Sequence, residues 1–455
     1  MTMGTNYFTR YRHIAPLAVL RIAFGAVLFF SSIRFIAHGW VRDFYIRPAF
    51  HFPFFGFEWL SPFNAAGMYT LYTIMAVAAL FICIGFFYRI AAPVFFLCFC
   101  YAELLDKTYY LNHYYLVTIC SFLLMLVPAH RYCSVDTWRK PSLKVTQVPS
   151  WTILVFKYQL TLIYCCAGLS KLTWDWLFRA MPLRIWLPAN ASIPLIGPLL
   201  RHEWVAYLFS WCGALFDLSI AFLLLNKTTR RPAYLLVIVF HILTAVLFQI
   251  GMFPYLMMSA TLIFFSEGFH RQVLQKARTF VMHQPVRTEM EQRLYIPLRR
   301  QQRIFVLLGI YFLLQLVTPF RFMLYPGRLL WTEEGYRFSW RVMLMEKSGV
   351  AFFYVKNPAT GRKFEVNNAE FLTGYQERMM ETQPDMMLQY AHILAQQYRK
   401  QGIVNPEVTV ESYVTLNGNG SRLYIDSTVN LALEKETWFG HKAWILPLNN
   451  QSTRP

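Results

Sequence analysis

Nine apolar runs, separated by short polar or basic segments, constrain the fold of this chain more than any other feature. A bilayer core of about 30 Å needs a helix of about 20 residues, and most of the runs approach that length. Only 15% of the residues are charged, against about 25% in a typical soluble domain. The sequence therefore predicts an all-α membrane bundle of about eight or nine transmembrane helices. The runs are 15–36, 68–86, 90–105, 114–128, 151–169, 204–225, 233–250, 252–266 and 304–320.

The stretch 233–266 has two interpretations. It is either one overlong helix or two helices broken at Gly251 and Pro254. Thirty-four residues exceed a single span, so we favour two helices.

The chain changes character after residue 320, where polar and charged residues become as frequent as in a water-exposed domain. Residues 350–366 and 407–426 have the alternation and the turn residues of two β-hairpins. Residues 385–400 have helical spacing and end before Gly402. We therefore predict a transmembrane catalytic domain over 1–320 and a soluble α+β domain over 321–455.

The basic residues predict the orientation. With nine spans and a cytoplasmic N-terminus, eighteen Lys and Arg fall in inner loops and seven in outer loops. Since Lys and Arg concentrate on the cytoplasmic side, the C-terminal domain is expected on the periplasmic or lumenal side. Topology also accounts for the net charge of +19, so we expect membrane lipid, and no nucleic acid, as the partner of these cations.

Ionisable side chains inside apolar runs are costly and become functional candidates. Arg21 lies in the first run and Asp217 lies in the sixth. The simplest expectation is an Arg21–Asp217 ion pair, and a structural and a catalytic role remain equally open.

Polar residues also interrupt the outer ends of several runs. Lys171 follows the fifth run, His113 precedes the fourth, and a third break covers 248–253. These interruptions face one compartment, and we expect them to line one cavity. Lys171 is either an interfacial lysine that extends to water or a buried amine that acts as a base. His113 is either an interfacial hydrogen-bonding residue or a catalytic one.

Common catalytic motifs are absent from the sequence. It contains no P-loop, no Gly-x-Ser-x-Gly elbow and no His-Glu-x-x-His, which disfavours nucleotide-driven transport and standard hydrolase chemistry. No Cys/His spacing suggests a metal site, so no metal is expected.

These segments together resemble the vitamin K-dependent gamma-glutamyl carboxylase family and the broader group named for the horizontally transferred transmembrane domain. They include Leu-Asp-Lys-Thr with Asn-His at the third and fourth runs, and Ala-Gly with Lys-Leu at the end of the fifth. The matching stretches occur in family order over nearly the whole chain: 20–25, 72–75, 88–90, 105–108, 112–113, 134–136, 167–172, 175–176, 240–241, 247–253, 331–332, 335–336 and 339–340.

The resemblance implies a carbon–carbon lyase that oxygenates vitamin K hydroquinone, a menaquinol or phylloquinol, with O₂. The strong base so formed removes a γ-hydrogen from a glutamate of a protein or peptide, and CO₂ adds to give gamma-carboxyglutamate and vitamin K epoxide. Lys171 matches the lysine that deprotonates the hydroquinone, and His113 matches the catalytic histidine of the carboxylation half. We further expect contacts to the quinol by Asn112, Asp106, Phe248, Met252 and Phe253, and contacts to the substrate by Trp340 and by Lys347, which follows the last matching stretch.

The sequence departs from the family pattern after Trp340, where animal enzymes have a stretch rich in His and Arg. Here the stretch from Arg341 to Lys347 contains no histidine, so quinol epoxidation is better supported than glutamate carboxylation. The short chain and the absence of cysteines after Cys212 suggest a bacterial homologue in the inner membrane, or an ER protein if the source is eukaryotic. A quinol epoxidase without carboxylation, and a non-enzymatic transporter or lipid-binding protein on the same scaffold, remain alternatives.

Overall fold

The computed structural model describes residues 7–248, 250–282 and 290–448. Within these residues, seven helices are long and apolar enough to cross a membrane, and two shorter apolar helices accompany them. All nine coincide with the predicted runs, which confirms the membrane bundle. They are α1 (Ala15–Ala37), α2 (Ala65–Ile84), α3 (Tyr88–Leu105), α4 (Asn112–Leu126), α5 (Trp151–Ser170), α6 (Glu203–Leu225), α7 (Arg230–Phe248), α8 (Phe253–Thr261) and, after the amphipathic α9 (Glu267–Met282), α10 (Leu298–Val317).

The ambiguous stretch forms two helices, as favoured. Gly251 adopts φ +62° between α7 and α8, a conformation that glycine reaches without a Cβ clash. Pro254 lies in the first turn of α8, where its missing N–H costs no hydrogen bond. Gln249, which belongs to the same break, lies outside the described residues.

The nine apolar helices are packed unequally. α1 to α5 contribute most of the side chains of the main core, whereas most side chains of α10 lie on the outer surface of the bundle. Polar contacts hold α10 in place: Gln315 accepts a hydrogen bond from Gln159 at 3.2 Å and donates one to the Tyr115 hydroxyl at 2.9 Å. Tyr311 adds a 2.6 Å hydrogen bond to Gln159. Such side-chain contacts take the place of the hydrophobic effect between helices in lipid.

A short two-stranded sheet closes the inner side, where β1 (Tyr11–His13) pairs antiparallel with β2 (Gln147–Pro149). The C-terminal region contains a four-stranded antiparallel sheet, in which the third and fifth strands of the chain are central and the fourth and sixth lie at the edges. Its strands are β3 (Lys347–Lys356), β4 (Lys363–Glu365), β5 (Glu407–Leu416) and β6 (Arg422–Leu423). Helices α11 (Gly374–Met380) and α12 (Pro384–Lys400) complete it, so the predicted α+β class, both hairpins and the helix are confirmed. The domain boundary at residue 320 stays a prediction.

Buried charges join the C-terminal region to the outer ends of the membrane helices. Lys107, just after α3, lies 2.8 Å from Asp385 in the first turn of α12, and Arg337 lies 2.6 Å from the same carboxylate. Burial alone would raise the pKa of Asp385, but Arg337 and Lys107 hold that pKa well below its ordinary value. The C-terminal region is therefore fixed on the membrane bundle by a compensated ionic contact.

Candidate functional site

A cavity lies among the outer parts of α4 to α8 and is covered by residues 340–343 of the C-terminal region. The space between its lining residues is about 800 Å³ when the open solvent at its mouth is counted. Each of the three predicted interruptions contributes a residue to its wall: Asn112, which precedes His113, then Lys171, and Phe248 with Phe253. The lining residues are Asn112, Leu116, Ile163, Tyr164, Ala167, Lys171, Trp176, Leu183, Phe209, Gly213, Asp217, Phe240, Thr244, Phe248, Phe253, Met257, Trp340, Val342 and Met343.

Lys171 follows the last residue of α5 and is only 6% exposed. Its Nζ lies 2.7 Å from Asp217 Oδ2 and 3.4 Å from the carbonyl oxygen of Ala167. The ammonium also faces the ring of Trp176 at 5.3 Å. Asp217 lies past the middle of the 23-residue α6, so the pair is within the bundle. The interpretation of Lys171 as an interfacial lysine extending to water does not agree with this position.

The predicted Arg21–Asp217 ion pair is wrong. Arg21 donates to the carbonyl oxygens of Ile82 at 2.8 Å and Cys83 at 2.6 Å, at the C-terminal end of α2, and to that of Cys133 at 2.6 Å. The last carbonyls of a helix lack partners within it and carry partial negative charge. Arg21 therefore caps a helix end, and Asp217 takes the lysine as its cation.

A close approach between α5 and α6 forms the Lys171–Asp217 pair. A Cβ on Gly168 would lie 2.8 Å from the backbone nitrogen of Leu218, so only glycine permits this contact. Gly168 is one turn before Lys171, and Leu218 follows Asp217. The glycine thus sets the distance between the two charged side chains.

His113 lies in the first turn of α4 and is 8% exposed. Its ring does not line the cavity but lies 5.8 Å from the ring of Phe253, which does. The ring of Phe253 also lies 5.7 Å from the ring of the buried His241. His241 Nε2 in turn lies 3.4 Å from the hydroxyl of Tyr164, another lining residue. His113 therefore packs behind a lining residue, Phe253, and not directly against the cavity.

The cover of the cavity is a strained segment of the C-terminal region. Phe338, Trp340 and Met343 adopt φ of 62°, 58° and 59°, which costs of order 1 kcal/mol or more for each non-glycine residue. Asn112 supports the segment by donating to the carbonyl oxygen of Arg341 at 2.9 Å. The ring of Trp340 stacks on Tyr115 at 4.7 Å.

The indole nitrogen of Trp340 is a buried donor that has no hydrogen-bond partner among the described residues. The side chain is 2% exposed and lines the cavity. An unsatisfied buried donor is costly, and a ligand oxygen would satisfy it. The residues present thus fit a ligand with an apolar body and a few polar atoms.

Three residues that were predicted to contact a ligand do not line the cavity: Asp106, Met252 and Lys347. Asp106 accepts from Gln376 of α11 at 3.3 Å and lies 3.2 Å from His51, because the end of α3 contacts the C-terminal region. Met252 accepts from Ser31 of α1 at 2.9 Å.

Lys347 belongs to the interior of the C-terminal region. It lies 2.7 Å from Glu333 and donates to the Tyr424 hydroxyl at 2.8 Å and to the Trp331 carbonyl oxygen at 2.9 Å. Burial, the largest effect, lowers the pKa of Lys347, and Glu333 opposes this change. With its three donors engaged there, Lys347 has no access to the cavity.

Several lining residues were not predicted as site residues, although two of them lie in the matching stretches 175–176 and 240–241. Tyr164, Trp176 and Phe240 contribute to the wall, but aromatic residues are so frequent in apolar runs that spacing alone did not distinguish them. The partnership of Lys171 with Asp217 was also missed, because the two residues are 46 positions apart.

Comparisons with known proteins agree with this architecture. Residues 9–269 match the family model of the HTTM domain, and residues 300–451 match that of the vitamin K-dependent gamma-carboxylase, lumenal domain. The second match supports a lumenal position for the C-terminal region of this multi-pass chain. No solved structure matches the chain.

Proposed function

Because the chain belongs to the vitamin K-dependent gamma-carboxylase family, we propose that it oxygenates vitamin K hydroquinone and couples this reaction to carboxylation of glutamate. The hydroquinone, O₂ and CO₂ are co-substrates in this proposal, and a Glu-containing protein or peptide receives the carboxyl group. The observation that carries the proposal is Lys171, buried beside Asp217 in an apolar cavity within the membrane helices.

Lys171 is the base in this proposal. Its Nζ is held at the cavity wall, where a quinol that is dissolved in the membrane can bring a hydroxyl within hydrogen-bond distance. A base needs this geometry before its proton affinity matters. The apolar walls, among them Phe248 and Phe253, accommodate the ring system of the quinol.

Trp340 supplies a second polar contact. We assign its free indole N–H to an oxygen of the quinol and not to the substrate glutamate, because it lines the same cavity as Lys171. Asn112 acts indirectly, since its amide holds the backbone beside Trp340.

His113 is proposed for the carboxylation half. Its ring packs against Phe253, which lines the cavity, so in this proposal the Phe253 ring shifts when substrates bind and the imidazole then reaches them. The segment 340–343 covers part of the cavity, and such a cover suits the chemistry because a strong base formed from the quinol would be quenched by solvent.

A second candidate is quinol epoxidation without glutamate carboxylation. Two observations favour it: the stretch after Trp340 contains no histidine, and Lys347 is fully engaged inside the C-terminal region.

One experiment separates the two candidates. Purified protein in lipid nanodiscs receives a vitamin K hydroquinone, O₂, labelled CO₂ and a Glu-containing peptide. Epoxide together with label on the peptide supports the carboxylase, and epoxide without label supports the second candidate. Absence of both products, with full retention of folded protein, would contradict both and leave a non-enzymatic role.

A further inference from the structure

Asp217 raises a difficulty for a base that consists of Lys171 alone. Among the described residues that line the cavity, Asp217 is the only carboxylate and Lys171 the only amine. Lys171 Nζ and Asp217 Oδ2 form an ion pair at 2.7 Å, in which the lysine is an ammonium group. An ammonium group has no lone pair with which to accept a proton from a quinol.

We propose that Lys171 and Asp217 work as one proton-exchanging pair, in which Asp217 stores the proton of the lysine while the lysine deprotonates the quinol. This inference rests on the proposed quinol oxygenase function. In the first step an Nζ–H bond of the ammonium breaks and an O–H bond forms at Asp217 Oδ2. In the second step the quinol O–H bond breaks and a new Nζ–H bond forms. The products are a quinol anion, the ammonium and a neutral Asp217. Both steps are proton transfers, so no group is oxidised or reduced.

The physical advantage is that the number of charges in the cavity stays constant. Before the exchange the cavity contains an ammonium and a carboxylate, and afterwards it contains an ammonium and a quinol anion. A lone neutral lysine would instead create two charges from none, each with its own desolvation cost. Exchange of one ion pair for another avoids most of that cost.

The geometry suits both steps. Lys171 Nζ and Asp217 Oδ2 are at the distance of a strong charge-assisted hydrogen bond. Asp217 is 7% exposed, so its carboxylate is shielded from solvent beside the lysine. Gly168 keeps the two helices close enough for direct transfer. Asp217 is thus a positioning residue that also holds a proton.

The direct test is proton counting under anaerobic conditions, where the quinol anion cannot react further. Titration of the protein in nanodiscs with vitamin K hydroquinone is followed by anion absorbance, by a pH indicator in weak buffer and by infrared difference spectra. We expect the anion to form with about no net proton release, and a carboxylic-acid carbonyl band to appear. Release of one proton per anion, without that band, would overturn the role of Asp217. Such a result would leave the proposed function intact, since epoxide formation tests that function separately.

Variants provide the second test. Asp217→Asn keeps the shape but cannot store the proton, so epoxide turnover should fall by about 100-fold, with loss of the infrared band. Asp217→Glu restores a carboxylate, so its epoxide turnover should be at least about tenfold higher than that of Asp217→Asn. Asp175→Asn is the matched control, because Asp175 pairs with Arg179 outside the cavity at 3.2 Å. Wild-type turnover in folded Asp217→Asn would contradict the proposal.

Discussion

The backbone nitrogen of Leu218 lies 2.8 Å from the position that a Cβ would take on Gly168, so α5 and α6 are in direct backbone contact beside the reactive pair. Lys171 follows Gly168 by one helical turn, and Asp217 directly precedes Leu218. The helix contact therefore determines the position of the reactive pair.

Replacement of Gly168 should therefore reduce activity. Gly168→Ala forces the helices apart, with a cost of about 1–3 kcal/mol for overpacking, and separates Lys171 from Asp217. We expect epoxide turnover to fall by about tenfold or more in steady-state assays. Gly309→Ala in α10 is the control, because a Cβ there meets no atom within 4 Å. Equal activity of the two variants would show that the close approach is unimportant.

The contact between Lys107 and Asp385 should contribute strongly to stability. Asp385→Asn leaves Lys107 and Arg337 buried without their carboxylate, at a cost of about 3–5 kcal/mol. Thermal unfolding and limited proteolysis of the C-terminal region should both detect the change. Glu407→Gln removes an exposed ion pair with Lys356 and should cost about 1 kcal/mol or less. If both variants melt alike, the buried contact does not fix the C-terminal region.

The same carboxylate predicts a pH dependence. The pKa of Asp385 is held below its ordinary value by Arg337 and Lys107, against the effect of burial. Its stabilisation is therefore complete above the unfolded value of about 3.9 and is lost as the pH falls through the lower folded value. The difference in Tm between wild type and Asp385→Asn should stay constant from about pH 8 to pH 5 and shrink only below about pH 4. A difference that disappears near neutral pH would contradict this assignment.

Trp340 should contribute to quinol binding through its indole N–H. Trp340→Phe keeps an aromatic ring against Tyr115 but removes the donor, which is worth about 0.5–1.5 kcal/mol. The KM for the hydroquinone should rise by about threefold to tenfold, with a smaller change in kcat. Trp444→Phe, in the core of the C-terminal region, serves as the control for loss of a buried indole. An unchanged KM for Trp340→Phe would remove Trp340 from the binding site.

The sequence was sufficient for the parts of the fold that depend on local pattern. The nine apolar helices follow from hydropathy, and both hairpins and α12 follow from alternation, turn residues and helical spacing. The failures concern pairings across the bundle. Arg21 and Asp217 were paired because each is an isolated charge in an apolar run, but side chains can also satisfy helix-end carbonyls, which have no sequence signature.

Ligand contacts were similarly limited by geometry. Asn112, Lys171 and Trp340 meet in one cavity, whereas Asp106, a few positions before Asn112, contacts the C-terminal region. The chain turns between α3 and α4 at this point, and the direction of each side chain after such a turn depends on tertiary packing. Family resemblance marks these positions without saying which of them face the cavity.

The central claim is that Lys171 is the base that deprotonates a quinol. The most direct test replaces two lysines separately: Lys171, which directly follows α5, and Lys157 within α5. Epoxide formation from vitamin K hydroquinone and O₂ is measured for Lys171→Ala and for Lys157→Ala, whose amine contacts the Phe264 carbonyl oxygen at 3.5 Å, away from the cavity. The account predicts loss of epoxide formation for Lys171→Ala, by about 100-fold or more, and turnover near that of wild type for Lys157→Ala. Wild-type turnover in folded Lys171→Ala protein would contradict the account.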